Sequence, residues 1–207
     1  MRAVKGQLPV RRTQEERRTA TRGAIIAAGR ALFAAHGFAG VSREEIVARA
    51  GVTRGAMHHY FATKELLFAA VYEDVERDLC LSVAGAAMPS KAGAPVDAVE
   101  MLRLGSIAFL KASTTDEVRR IILQDGPAVL PRDVAHALAE QYGLGLIRST
   151  LQEVADAGRL AVGPLDFLAP VFMGGLHELA NLVADGGDAK KAIRLVGELI
   201  DRITTDP

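Results

Sequence analysis

The chain of 207 residues has one cysteine, no tryptophan, and only three tyrosines and seven phenylalanines. A single cysteine excludes an intramolecular disulfide and any multi-cysteine zinc or iron–sulfur site. No uncharged apolar run reaches the roughly 18 residues that a membrane span needs. The basic start MRAVKGQLPVRRTQEERR lacks the apolar stretch of a secretory signal, so a cytoplasmic chain without a membrane partner is expected. The 20 glycines follow no G-x-y period, which excludes collagen. Alternating strand patterns of useful length and internal repeats are missing too. What remains is 49% hydrophobic and 24% charged, enough apolar surface to offset the cost of ordering the chain. The length suggests one or two domains.

Catalytic signatures are equally scarce. The sequence has no G-x-S-x-G, H-E-x-x-H, P-loop or dinucleotide-binding fingerprint. His58 and His59 are adjacent, so on a helix they point about 100° apart and make a poor metal pair. No enzyme, metal site or cofactor is expected.

The formal net charge is zero, but it is unevenly spread. Residues 1–64 carry 12 Lys/Arg against 4 Asp/Glu, and the rest carries 13 against 21. A basic end on an acidic body suits a polyanion at one end only; a chance split of solvated faces is the plainer alternative.

Helical signals run the length of the chain. Residues 1–13 look like a flexible basic arm. Ile25, Ala28, Gly29, Leu32, Phe33 and His36 then recur at spacings of three and four, and Gly37 is placed to end that helix. Ser42 and Glu45 form a capping box, with Val41 and Ile46 as its hydrophobic staple. Gly51 ends this second helix; Thr53 caps a third, to about Tyr60, and Thr63 a fourth. Leu66, Leu67, Ala70, Val71, Val75 and Leu79 form the stripe of the fourth. Residues 84–96 read as a loop. Asp97 with Glu100 and Thr114 with Glu117 repeat the capping signature for two more helices, the second ended by Gly126–Pro127. A long helix over 132–157 should kink at Gly143 and Gly145. Two last helices, near 165–184 and 188–204, meet at Gly186–Gly187. The expected fold is all-α with about nine helices: a small N-terminal helical domain over 14–63 and a helical body over 64–207.

Residues 42–60 describe two short helices joined by a tight turn, the helix-turn-helix arrangement whose second helix enters the DNA major groove. Met57 and Phe61 face inward, while Arg54 and His58 share the opposite side. Gly55 lets the backbone approach DNA closely. Arg54 suits guanine O6 and N7, and His58 a base edge or phosphate. Ser42 and Thr53 stand at helix N-termini that attract anions. Lys64 opposes the dipole in the first turn of its helix, which a bound phosphate would explain; a solvated lysine is the alternative.

The stretch from Thr19 to about Asp78, above all GVTRGAMHHYFATKELLFAAV at 51–71, resembles the tetracycline-repressor (TetR) family of bacterial transcriptional regulators. Gly51, Thr53, Gly55, Met57, Phe61, Lys64 and Glu65 fall in the family's order; His58 and Tyr60 stand where the family usually has tyrosine and histidine. The resemblance implies an all-helical homodimer that binds a double-stranded operator and a small-molecule inducer. It implies DNA contacts from Ser42, Arg43, Thr53, Arg54, Gly55, His58, His59, Tyr60 and Lys64. A repressor of a palindromic operator is expected; a helical protein-interaction module, or an enzyme with an accessory DNA-binding end, is the alternative.

In the body, Ala169, Met173, Leu176, Ala180 and Val183, and then Ile193, Val196, Ile200 and Ile203, recur every 3.5 residues on average, as helices in a bundle do. Met173, Leu176, Ala180, Ile193, Val196 and Ile200 are therefore expected at the dimer interface, unless both stripes face the chain's own core. Leu102, Phe109, Ile122, Tyr142, Phe172 and His177 are the expected pocket residues. Cys80 reads as a small buried hydrophobe.

Overall fold

A computed structural model describes residues 13–88 and 97–205. Its elements are α1 (Gln14–His36), α2 (Arg43–Ala50), α3 (Arg54–Tyr60), α4 (Lys64–Ala87) and α5 (Ala98–Ala112). A π-helical segment (Val118–Asp125) runs into the short α6 (Gly126–Val129). Then follow α7 (Arg132–Gln141), α8 (Gly143–Asp156), α9 (Leu165–Ala184) and α10 (Ala189–Ile203). The fold is all-α, with no strand among the described residues. Apart from Thr13, the expected basic arm lies outside the described residues, as does most of the expected loop.

The first three helices are set by their ends. Thr13 and Glu16 cap α1 reciprocally, a box the sequence reading overlooked. Ser42 and Glu45 do the same for α2, with Val41 and Ile46 both buried as its staple. Gly51 takes the left-handed conformation (φ 65°) that ends α2 and turns the chain toward α3. Gly29 lies where a Cβ would stand 3.2 Å from Val71 Cγ2, so α1 packs closely on α4. Phe33, Phe38 and Phe68 stack edge-to-face or tilted, with ring centroids 5.2–5.8 Å apart.

Helix α4 is longer than expected. Ala84–Ala87, assigned to the loop, continue it, as alanine's helix propensity favours. It stops where Met88, in extended conformation, precedes Pro89, because a proline disfavours helical geometry in the residue before it.

Three further expectations need correction. Thr114 does not cap the sixth helix: its hydroxyl donates to Lys111 O, and Thr115 Oγ1 takes the Val118 N–H instead. Glu117 turns away to Arg30. Nor does Gly126–Pro127 end the segment. The helix widens, with Gly126 N–H reaching back five residues to Ile121 O, and continues to Val129. A Cβ on Gly126 would stand 2.5 Å from Tyr72 Cε2, so glycine is what allows this passage across α4. The expected kink in 132–157 is a complete break at Tyr142 (φ −121°, ψ −100°), which separates α7 from α8. Gly143 follows it, where a Cβ would lie 2.9 Å from Glu76 Oε1.

One continuous core runs from Ile25 to Ile200. Helix α4 is its spine, packing on α1 with Leu67 and Val71 and on α5 along its later turns.

Candidate functional site

The helix-turn-helix presents one exposed surface. Arg54, Gly55, His58 and His59 are exposed on α3, while Met57 and Phe61 are buried beneath it. A Cβ at Gly55 would meet nothing closer than Thr53 Oγ1 at 4.0 Å, so this face is open. Arg54 forms an exposed ion pair with Glu44 at 2.9 Å. Such a pair contributes about 0–1 kcal/mol, so the guanidinium is readily exchanged onto another acceptor. Thr53 Oγ1 accepts from Ala56 N–H at 3.1 Å. The Ser42 hydroxyl donates to Glu45 Oε2 at 2.6 Å, and that bond holds the Glu45 carboxyl below the usual carboxylate range.

The cations flanking α3 hold backbone. Arg43 donates to Ala62 O at 2.6 Å and to Phe61 O at 2.9 Å. These bonds fix the C-terminal end of α3. The Lys64 ammonium donates to Phe38 O at 2.9 Å and Val41 O at 3.0 Å, and lies 4.1 Å from the centre of the Phe38 ring. Lys64 therefore ties the start of α4 to the α1–α2 turn, a reason for its position that the sequence did not suggest. Tyr60 is half-buried, its ring edge-to-face with His59 at 5.2 Å. It shares a groove with Arg18 and Arg22 of α1. Those two arginines, absent from the sequence reading, add positive charge beside α3.

The second site is a cavity of about 150 Å³ among α4, α5, α8 and α9. Of the expected pocket residues, Leu102, Phe109 and His177 line it. The other three lie elsewhere: Ile122 is buried in the core, the Tyr142 hydroxyl donates to Glu73 Oε1 at 3.2 Å, and Phe172 packs on the core from outside. His177 stacks on Phe109 with ring centroids 5.5 Å apart, and burial lowers its pKa, which favours the neutral imidazole. Glu76, Cys80, Ser106, Thr150 and Met173 also line the cavity. Burial and the neighbouring Glu76 push the Cys80 thiol up to about 12, so it is not a reactive thiolate. Glu76, 3% exposed, is the carboxyl that sequence reasoning missed. Its position on the α4 stripe, one residue after Val75, was the available signal.

The seam expected between protomers is not a surface. Leu176, Ala180, Val196 and Ile200 are buried inside this single chain, Met173 lines the cavity, and Ile193 packs against the core. The regular spacing marks the stripe along which α9 and α10 join their own body. A second apolar stripe lies outside it: Phe167, Val171, Leu182, Leu195 and Leu199 are all exposed, beside the exposed pair Gly174–Gly175.

Comparison with known proteins places both halves. Residues 25–71 match the model of bacterial regulatory proteins of the tetR family, and residues 99–206 match a tetracyclin repressor-like C-terminal domain. The chain is 43% identical over 65 residues to the HTH-type transcriptional regulator CymR of Pseudomonas putida, covering 31% of this chain and 32% of CymR. It is 32% identical over 114 residues to AcrR of Shigella flexneri, covering 55% of this chain and 51% of AcrR. The matches thus span about a third and about half of those regulators. A TetR-family regulator from Pectobacterium atrosepticum has a similar structure, with TM-score 0.74, 25% identity, and 95% of this chain and 100% of that one covered. With family models matching its first helices and more than half its length at the other end, the chain belongs to the TetR family of bacterial transcriptional regulators.

Proposed function

We propose that the chain is a sequence-specific DNA-binding regulator, a repressor released from a palindromic operator by a small molecule. In this reading residues 14–63 bind DNA, and residues 64–207 bind the effector and dimerise. The observation that carries it is the exposed face of α3, where Arg54, Gly55 and His58 stand clear above the buried Met57 and Phe61. Arg54 reads guanine, and Ser42, Thr53, His58, His59 and Tyr60 serve neighbouring bases and phosphates. Arg43 and Lys64, committed to carbonyls, orient the motif and reach phosphate only with whatever donor capacity is left.

Helix α4 suits the transmission of a signal. One side carries Glu76 and Cys80 into the cavity. Another carries Asp74 and Asp78, which bind Arg30 of α1 at 2.7 and 2.5 Å. Its first residue, Lys64, holds the α1–α2 turn. A ligand that displaces α4 therefore moves the helix-turn-helix. In a dimer the two recognition helices must match half-sites roughly 34–36 Å apart, so a small rotation weakens binding.

The exposed stripe on α9 and α10 supports a homodimer built as a four-helix bundle. Helix α9 is apolar enough that an 18-residue window reaches a mean hydropathy of 1.3, yet only 22% of that window is buried within the chain. A helix with one side in its own core and the other against a partner has this composition.

The test is a gel shift on genomic fragments at two salt concentrations. Affinity is expected to fall roughly 10³–10⁵-fold between 50 and 200 mM salt if 6–10 phosphates are contacted. Arg54→Ala is expected to cost about 1–3 kcal/mol and to relax preference at one base per half-site. Unchanged operator preference would remove Arg54 from base reading, and no salt-sensitive DNA binding at all would favour a protein-interaction module.

A further inference from the structure

The cavity contains a carboxyl for which the chain provides half a set of partners. Glu76 is 3% exposed, and its Oε2 has no hydrogen-bond partner. The Gly143 backbone N–H is the one hydrogen bond that steadies its charge. The polar neighbours are turned elsewhere: the Ser106 hydroxyl donates to Leu102 O at 2.7 Å, and that of Thr150 to Leu146 O at 3.0 Å. Among the described residues, no lysine or arginine lines the cavity. A carboxylate shut away from water with no cation is strongly disfavoured, and groups of this kind cluster at functional sites. An apolar side chain at position 76 would pack among Leu79, Leu102 and Met173 without that cost.

We propose that the cavity takes a small organic cation, an apolar ring-sized body bearing one ammonium or amidinium group, whose N–H donates to Glu76 Oε2. This deepens the reading of residues 64–207 as the effector-binding half and rests on it. Size supports it, since a cavity of about 150 Å³ accommodates a benzene ring. So do the walls: Leu79, Leu102, Phe109 and Met173 offer apolar contact to the body of the ligand. An anionic ligand would place a second negative charge beside Glu76, and a purely apolar one would leave Oε2 unpaired.

The charge state of the site yields a second readout. Burial pushes the Glu76 carboxyl up to about 7. The other titratable groups facing the cavity stay neutral near that pH. The Cys80 thiol is raised to about 12, the Tyr72 phenol beside Glu76 is raised by burial, and His177 is lowered by burial. The neighbouring charges on α4, Glu73, Asp74 and Arg77, are not part of the lining. Cation affinity is therefore expected to rise about tenfold per pH unit below about 7 and to level off above it.

Calorimetry on the full chain without DNA tests this, with benzylammonium as the probe and benzyl alcohol and benzoate as its neutral and anionic counterparts. At pH 8 benzylammonium is expected to bind at least about tenfold more tightly than benzyl alcohol, with benzoate weakest. Glu76→Gln is expected to lose that advantage, to leave benzyl alcohol within about twofold, and to flatten the pH profile. Equal affinity for the cation and the alcohol, unchanged cation affinity in Glu76→Gln, or no binding of benzylammonium overturns the proposal. A chain that shifts genomic fragments yet ignores benzylammonium refutes the cation site and leaves the regulator reading standing. A chain that binds benzylammonium but no DNA does the reverse.

Discussion

The Arg30 guanidinium grips Glu117 through two parallel hydrogen bonds, Nε to Oε1 at 2.6 Å and Nη2 to Oε2 at 2.8 Å, across 87 positions of sequence. Its remaining nitrogen, Nη1, holds Asp74 and Asp78 of α4. One cation thus joins α1 to α4 and to the start of the π-helical segment. At the far end of that segment Asp125 accepts the Phe38 N–H at 2.6 Å, so both its ends are tied to α1 and the turn that follows it.

Arg30→Ala is expected to lower stability by about 1–3 kcal/mol at pH 7, because it leaves the half-buried Glu117 and Asp74 and the exposed Asp78 facing one another, with Arg77 alone beside Asp74. Burial alone would raise the Asp74 carboxyl, but Arg30 and Arg77 hold it below the usual range. A carboxyl depressed by folding contributes stability above the ordinary carboxylate range and loses it as pH falls through the depressed value. Urea melts of wild type and Arg30→Ala should therefore differ most near neutrality and converge toward about pH 3. A gap that stays constant with pH would show that Arg30 acts by packing alone.

Lys64→Met keeps the apolar stem and removes the two bonds to Phe38 O and Val41 O. A loss of about 1–3 kcal/mol is expected, because Val41 O is left without its partner and Phe38 O keeps only the longer bond from the Val41 N–H at 3.4 Å. Thermal melts read this directly. The salt slope of DNA binding is expected to stay unchanged; a drop of about one phosphate's worth would show the ammonium leaving the carbonyls for DNA.

What the sequence made legible was local chemistry. The Ser42–Glu45 box and the Gly51 stop each depend on residues within a few positions, and each fixes a helix end by itself. Thr114 and Glu117 carry the same letters and failed, because Arg30, far away in sequence, claims the Glu117 carboxylate that a box would need. Periodicity had the converse limit. The α9 and α10 stripes report that a face is buried, not what buries it, so Leu176 and Ile200 read the same whether they face a partner or their own core. Glu76 was masked for a third reason: its place beside Val75 was a signal, but a carboxylate on an amphipathic helix looks solvated until α8 and α9 close over it.

Glu76 also predicts a pH dependence of stability in the free chain. Its carboxyl is raised by burial from 4.5 to about 7, so the folded state binds the proton more tightly than the unfolded state. Stability should therefore fall as pH rises across that interval and level off above it. The full effect is on the order of 3 kcal/mol at most. Glu76→Gln removes the titration, so it should match wild type near pH 4.5 and exceed it above pH 7. Denaturant midpoints at the two pH values check this; equal midpoint differences at both would mean that Glu76 is ionised throughout.

The outer stripe of α9 and α10 separates assembly from folding. Phe167 and Val171 are more than two-thirds exposed, and Leu182 and Leu199 are exposed as well. Placing a charge there costs the monomer little, since the side chain already meets water, but it puts an unpaired charge into an apolar bundle when two copies meet. Val171→Glu and Leu199→Glu are each expected to yield folded monomers at micromolar concentration with unchanged far-ultraviolet dichroism. Operator affinity should fall sharply in both, because a lone helix-turn-helix holds one half-site. Ile200→Glu, one residue along but buried, is expected to unfold the body, at a cost of about 3 kcal/mol or more. Sedimentation of the three variants distinguishes these outcomes. If Val171→Glu and Leu199→Glu remain dimers that bind operator like wild type, the two-fold contact lies on another face, and the apolar outer side of α9 must be covered by something other than a second copy of the chain.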